Sequence, residues 1–206
     1  LRDKPSDTVF ATGGRLHGSD GVATVSAVTD GTFGAGQEIQ IRYPDGSQDA
    51  IALFTQLPLA LFHTTVHNGG AAAMVVHDLQ TVSADLQLGA PLPAVRALGT
   101  AGLTAPDKHP GSYAYLALAN PATRAGVVGG WLTHDRGSGV VFSPVENGVL
   151  RIMARVDYGR LRIEPGQDAR TETFAIGWFE DVRCGLESYA QAVARVYSIK
   201  LPPQPA

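Results

Sequence analysis

The sequence predicts a mainly β chain, folded as one large antiparallel sandwich with a single helix at its C-terminal end. Three observations carry this. Apolar and polar residues alternate with a period of two over most of the chain. Glycine and proline, 24 and 13 of 206 residues, recur at short intervals while only 17% of residues are charged, which suits many strands joined by tight turns. A 3.6-residue period appears once, near the end, so no helix lies between strands to serve as a parallel crossover.

Taken in order, "GVATVSAV" is the first strand, followed by "EIQIRYPDGSQDAIALF". The second puts Ile39, Ile41 and Tyr43 on one face before Pro44, Asp45 and Gly46 reverse the chain. "LFHTTVHNGGAAAMVVHDL" repeats the plan, with Asn68 and Gly69 expected to supply the positive φ angles of a hairpin turn. The shorter strands "YAYLAL", "AGVVGGWLT" and "GVVFS" follow. "VLRIMARVDY" is the clearest of all: Leu150, Ile152, Ala154, Val156 and Tyr158 share one face, with Arg151, Arg155 and Asp157 opposite, as a sheet with one wet face requires. In "RLRIEPG" Leu161 and Ile163 alternate with arginines, and Pro165 and Gly166 turn the chain into "TETFAIGWF", where Phe174, Ile176 and Trp178 share a side. About ten strands are expected in all.

From Asp181, a good N-cap, the period changes. Leu186, Tyr189, Ala190, Val193, Ala194 and Tyr197 form an apolar stripe opposite Glu187, Gln191 and Arg195. Beyond Lys200 the adjacent prolines cannot continue a helix and favour an extended, semi-rigid path. The expected division is therefore a sandwich over 1–180 and a connector helix with a proline-rich spacer over 181–206.

A net charge of −3 without any lysine or arginine run argues against nucleic acid and membrane surfaces as partners. No apolar run approaches the roughly 20 residues that cross a bilayer. Cys184 is the only cysteine, which excludes an internal disulfide and any multi-cysteine metal site. It falls in the first helical turn, where burial is the expectation. The chain begins at Leu1 rather than methionine, which fits a removed export signal and a secreted or periplasmic location, although the compartment stays open.

Candidate motifs are few. His63 and His67 have the spacing of a helical metal pair, with His77 nearby, but their alternating surroundings read as strand, where four residues span about 13 Å. No metal site and no cofactor is expected. "RGSGV" around Ser138 lacks the first glycine of a nucleophile elbow, and "TFGAGQEI" has Ile39 in place of the third glycine of a dinucleotide fingerprint. Pro202-Pro203-Gln204-Pro205 fits a P-x-x-P ligand, but a spacer is the stronger reading.

The stretch richest in chemistry is "NPATRAGVVGGWLTHDRGSG". Trp131 could offer an aromatic face to a sugar, while His134, Asp135 and Arg136 bind its hydroxyls. The competing reading, which is favoured, makes Trp131 a core or interdomain residue and the polar trio part of a turn, because tryptophan buries well in sandwich cores.

The last forty or so residues resemble the domain junction of clan-D glycoside hydrolases, the α-galactosidase group of family 36 type. The resemblance rests on "IEPGQDARTETFAIGWFED", the helix start "LESYAQAVAR", the spacer "SIKLPPQP" and, upstream, "TRAGVVGGWLTHDRGSGVVF". It implies a sandwich of the galactose-mutarotase-like supersandwich type, joined by a linker helix to a (β/α)8 barrel that carries both catalytic aspartates. Such a barrel needs about 250 residues of alternating strands and helices, so none fits here. By this resemblance no catalytic residue falls on the chain, and its partners are its own absent barrel, a carbohydrate, and further copies in a homo-oligomer. Two alternatives share the fold: an independent lectin-like carbohydrate-binding module, and an aldose-1-epimerase-type enzyme working through a histidine and a glutamate.

Overall fold

The computed structural model describes residues 1–3, 5–108 and 111–200. They form two antiparallel sheets, of ten and six strands, with a two-stranded ribbon, Arg2–Asp3 with Thr8–Val9, and one α-helix, Val182–Val196. This is the fold class that the alternation predicts. The Pro202-Pro203-Gln204-Pro205 spacer lies outside the described residues.

The six-stranded sheet is built on two long strands, Met74–Leu86 and Val149–Ile163, paired along most of their length. The second joins what the sequence divides into "VLRIMARVDY" and "RLRIEPG". Leu150, Ile152, Ala154 and Val156 are buried on even positions, whereas Ile163 is buried on an odd one. The parity changes across an irregularity between Asp157 and Leu161, where four steps along this strand oppose two on its partner, from Asp78 to Val76. Gly159 sits there at φ 61°, its N–H donated to Asp157 Oδ1 at 2.8 Å and its carbonyl accepting from His77 Nδ1 at 2.6 Å.

Two expected elements divide between the layers. "YAYLAL" splits at Ala114, φ 63°: Gly111–Tyr113 pairs with Ser138–Phe142 in the smaller sheet, while Tyr115–Ala119 pairs with Gly126–Trp131 in the larger. The Asn68-Gly69 hairpin is overturned. Strand Ala60–His67 belongs to the ten-stranded sheet and Met74–Leu86 to the six-stranded one, so the segment between them is a crossover. Asn68 is buried, and its Nδ2 donates to the carbonyls of Ala72 and Ile163, both at 2.9 Å. Its Oδ1 accepts the Gly70 N–H at 3.0 Å, so the side chain shapes the local bend of the crossover and also ties it to the smaller sheet.

The core between the sheets holds Trp131, Phe174, Ile152, Val127, Val141 and Val156, each 3% exposed or less. A second apolar cluster lies under the helix, against the other face of the larger sheet, and includes Leu59, Leu61, Ala117, Val128, Leu132 and Ala175. The helix begins where expected. Asp181 accepts from the Arg183 N–H at 3.0 Å, and the Arg183 guanidinium hydrogen-bonded to it holds its carboxyl well below the usual range.

The buried helix face differs from the predicted stripe. Gly185, Tyr189, Ala192 and Ala194 are buried while Ala190 is exposed. Gly185 makes the difference, since a Cβ there would lie 2.5 Å from the Phe179 ring and 2.8 Å from Val128. Its bare backbone lets the helix approach the sheet closely, rotating the contact line towards it. Cys184, on the adjacent face, is exposed, against the expectation of burial.

Candidate functional site

A cleft of about 310 Å³ opens where four segments meet above Leu61 of strand Ala60–His67. They are the turn around Thr32 and Phe33 between strands Val22–Asp30 and Gly34–Arg42, the connection 132–137 after strand Gly126–Trp131, the run 170–173 before strand Phe174–Phe179, and the helix end at Val196. Asp30, Asp135, Arg136, Arg170 and Glu172 bring three acids and two guanidinium groups to its wall, with Thr32, Thr133, Thr171 and Thr173 between them.

Local structure fixes each group. Asp30 Oδ1 accepts from the N–H groups of Thr32 at 2.7 Å and Phe33 at 2.9 Å, which shapes the turn. Glu172 is 2% exposed, and its Oε1 accepts the Arg136 backbone N–H at 2.9 Å. Its own N–H is donated to Tyr158 Oη at 3.0 Å, and burial pushes the Tyr158 phenol up from its ordinary pKa. The Arg136 guanidinium donates to the Arg170 carbonyl, which joins the two loops across the cleft. Thr173 N–H donates to Thr133 Oγ1 at 2.9 Å, and Leu132 N–H to the Thr173 carbonyl at 2.8 Å.

The helix end closes the arrangement. Tyr197 Oη accepts the His134 N–H at 2.8 Å and donates to Asp135 Oδ1 at 3.2 Å. The last helical turn therefore sets the position of the 133–136 loop.

The sequence reading named Trp131, His134, Asp135 and Arg136 together, and the structure separates them. Asp135 and Arg136 line the cleft, and His134 lines an adjoining recess with Arg136, Ser138 and Tyr158. Trp131 is a core residue, as the favoured reading expects, and is corrected as a sugar platform: it has no exposed surface, its ring meets Phe174 edge-on at 5.4 Å, and Nε1 donates to the Val140 carbonyl at 3.3 Å. A ring face enclosed on all sides cannot stack on a ligand. Glu172, Arg170 and Asp30 were missed. A signal for Glu172 was present, because it shares the parity of Phe174 and Ile176, and an acid on an apolar face is unusual.

His63 lies behind this site on strand Ala60–His67, with Nδ1 3.3 Å from Arg170 Nη2. Arginine only donates, so Nδ1 must accept and the imidazole is neutral with its proton on Nε2. Burial, and secondarily the Arg170 charge, lower its pKa to about 4. A histidine protonated less readily in the folded than in the unfolded chain loses stability for the fold as pH falls below the unfolded value near 6.5. That loss should be complete near pH 4 and amount to about 2 to 3 kcal/mol. Thermal melts of the wild type and His63→Gln between pH 7 and 4 check it: the wild-type melting temperature should fall more steeply, and parallel curves would refute the assignment.

No family model matches the chain, and no curated protein matches it. Solved structures do. The chain is similar to the α-galactosidase from Lactobacillus brevis, with 13% identity and a TM-score of 0.59 over 90% of this chain and 29% of the enzyme. It is similar to the galactosidase domain of an α-galactosidase-sucrose kinase, with 10% identity and a TM-score of 0.55 over 88% of this chain and 29% of that one. It is also similar to a family 97 glycoside hydrolase from Pseudoalteromonas sp. strain K8, solved in complex with acarbose, with 11% identity and a TM-score of 0.50 over 84% of this chain and 28% of that one. At such identities the likeness is one of fold, and the chain spans less than a third of the length of each of these hydrolases.

Proposed function

We propose that this chain is the non-catalytic sandwich domain of a glycoside hydrolase of the α-galactosidase type, packing on a (β/α)8 catalytic barrel and shaping one rim of its carbohydrate cleft. The observation that carries this reading is the asymmetry of coverage: nearly all of these 206 residues correspond in fold to under a third of a sugar-cleaving enzyme. The remaining two-thirds of that enzyme has no counterpart here. The junction motifs around residues 163–200 point to the same group by resemblance.

In this reading Asp135 and Arg136 present planar hydrogen-bonding groups to sugar hydroxyls at the rim, supported by Arg170 and Glu172, with His134 at the adjoining recess. Three acids against two guanidinium groups leave the cleft near charge balance, which suits a neutral polyol better than an ion.

The purified chain should release no nitrophenol from 4-nitrophenyl α-galactoside. Turnover at ordinary enzyme rates, about 1 s⁻¹ or faster, would overturn the non-catalytic assignment.

The polar cleft also favours a second reading, an independent carbohydrate-binding module. Calorimetric titration with α-galactosides separates the two. Saturable heat that disappears in Arg136→Ala and Asp135→Ala supports the module; no heat from the isolated chain supports a rim that works only beside its barrel. An epimerase would need a histidine with its glutamate, and none of the described residues lining the Glu172 cleft is a histidine.

A further inference from the structure

Among the described residues four strands end the main strand orders of the two sheets, and three of these edges are blunted. Gly102–Thr104 and Gly111–Tyr113 are only three residues long. Ala11–Leu16 is broken by a register shift between Thr12 and Arg15, carries Gly13 at φ 58°, and bears the charge of Arg15. Short strands, bulges and charges are the usual means of keeping an edge from pairing with another chain.

The fourth edge, Val22–Asp30, has none of these. It is nine residues long and pairs with Gly34–Arg42 through nine consecutive positions without a bulge. It has no proline and no charge before Asp30 at its end, and five of its nine positions are valine or threonine. Every residue from 22 to 27 is exposed, with Val25 at 67%. Among the described residues no strand pairs with its free side.

The sheet face beside it is also left bare. Val25 lies opposite Ile39, which lies opposite Ile51, and Leu53 follows on the same face. Ile51 packs on the inter-sheet core, so this row continues the core surface outwards, yet Ile39 is 37% and Leu53 57% exposed. The apolar layer thus runs up to the open edge and stops there uncovered.

We propose that Val22–Asp30 is a self-association edge, pairing antiparallel with the same strand of a second copy about a two-fold axis near Ser26. The occupant follows from the strand's own chemistry. In that register Asp30 of one copy faces Val22 of the other, so no like charges oppose each other, and Val25 faces Ala27 on the same side of the sheet. The two apolar rows then join into one surface across the axis, and both unpaired backbone edges are satisfied together. Isologous pairing of this kind is closed, so it stops at a dimer.

Sedimentation of the 206-residue chain at about 100 µM should give a dimer, and Val25→Lys, at an exposed position where the fold tolerates charge, should give a monomer with an unchanged circular dichroism spectrum. In a Cys184→Ser background, Thr24→Cys, Val25→Cys, Ser26→Cys and Ala27→Cys introduced singly scan the axis. At least one should cross-link to a covalent dimer under mild oxidation. A monomeric wild type, a dimer that survives Val25→Lys, or a scan in which no position cross-links would each overturn the proposal.

Discussion

Trp131→Ala should cost about 3 to 5 kcal/mol of stability, the range for removing a large buried aromatic side chain. The indole has no exposed surface and fills the space between the sheets beside Phe174. Gly139, on the strand facing it, has room for no Cβ at all, because the Trp131 ring occupies that space. The ring is therefore seated in a pocket shaped for it, and the 131–139 segment cannot collapse to fill the void. For a domain of this size about 2 to 4 °C of melting temperature per kcal/mol implies a fall on the order of 10 °C. Trp178→Ala is the control: Trp178 is partly exposed and its Nε1 has no hydrogen-bond partner among the described residues, so it should cost less. Equal losses from the two substitutions would refute the central role given to Trp131.

Gly130→Val should act on the opposite face of the same strand and loosen the helix. A Cβ at residue 130 would lie 2.5 Å from the Tyr189 ring and 3.0 Å from Tyr115 Cβ. Tyr189 cannot move aside freely, because its Oη donates to the Trp131 carbonyl at 2.7 Å and the ring is buried under the helix. Overpacking usually costs about 1 to 3 kcal/mol, and displacing the helix from its apolar cluster places this variant at the upper end. Because the helix end holds the 133–136 loop through Tyr197, the effect should reach the cleft as well. Truncating the obstructing ring in Gly130→Val/Tyr189→Ala should recover part of the loss, read as a coupling energy in a double-mutant cycle of chemical denaturation. Strict additivity would mean that the glycine is not there to admit Tyr189.

The paired glycines before Trp131 show how far local pattern reaches. "VVGGW" reads as a strand from its neighbours alone, and a strand it is, Gly126–Trp131. Glycine weakens a strand interior, so two together indicate a close approach on both faces. The sequence leaves unnamed what approaches, which turns out to be Ile152 and Phe174 on one side and Tyr189 on the other. The candidate site behaves in the same way. Asp135 and Arg136 were legible because they sit in one polar run, whereas Arg170 and Glu172 reach them across 34 to 36 residues of chain. The carboxylate that anchors the cleft belongs to a strand entry whose period could only mark it as unusual.

By itself the sequence determined the period of each segment, hence strands rather than helices, the antiparallel habit that follows from the lack of crossover helices between strands, and the capped helix near the end. Only the tertiary structure decided to which sheet each strand belongs, which residues enclose Trp131, and which loops share a cleft. Alternation says which side chains face the same way along one strand but is silent on which layer that strand joins. Layer membership is set by contacts such as Thr64 N–H to Thr171 Oγ1, 107 residues apart. No local window contains both partners of such a bond, and their pairing is selected by the burial of the whole inter-sheet core at once.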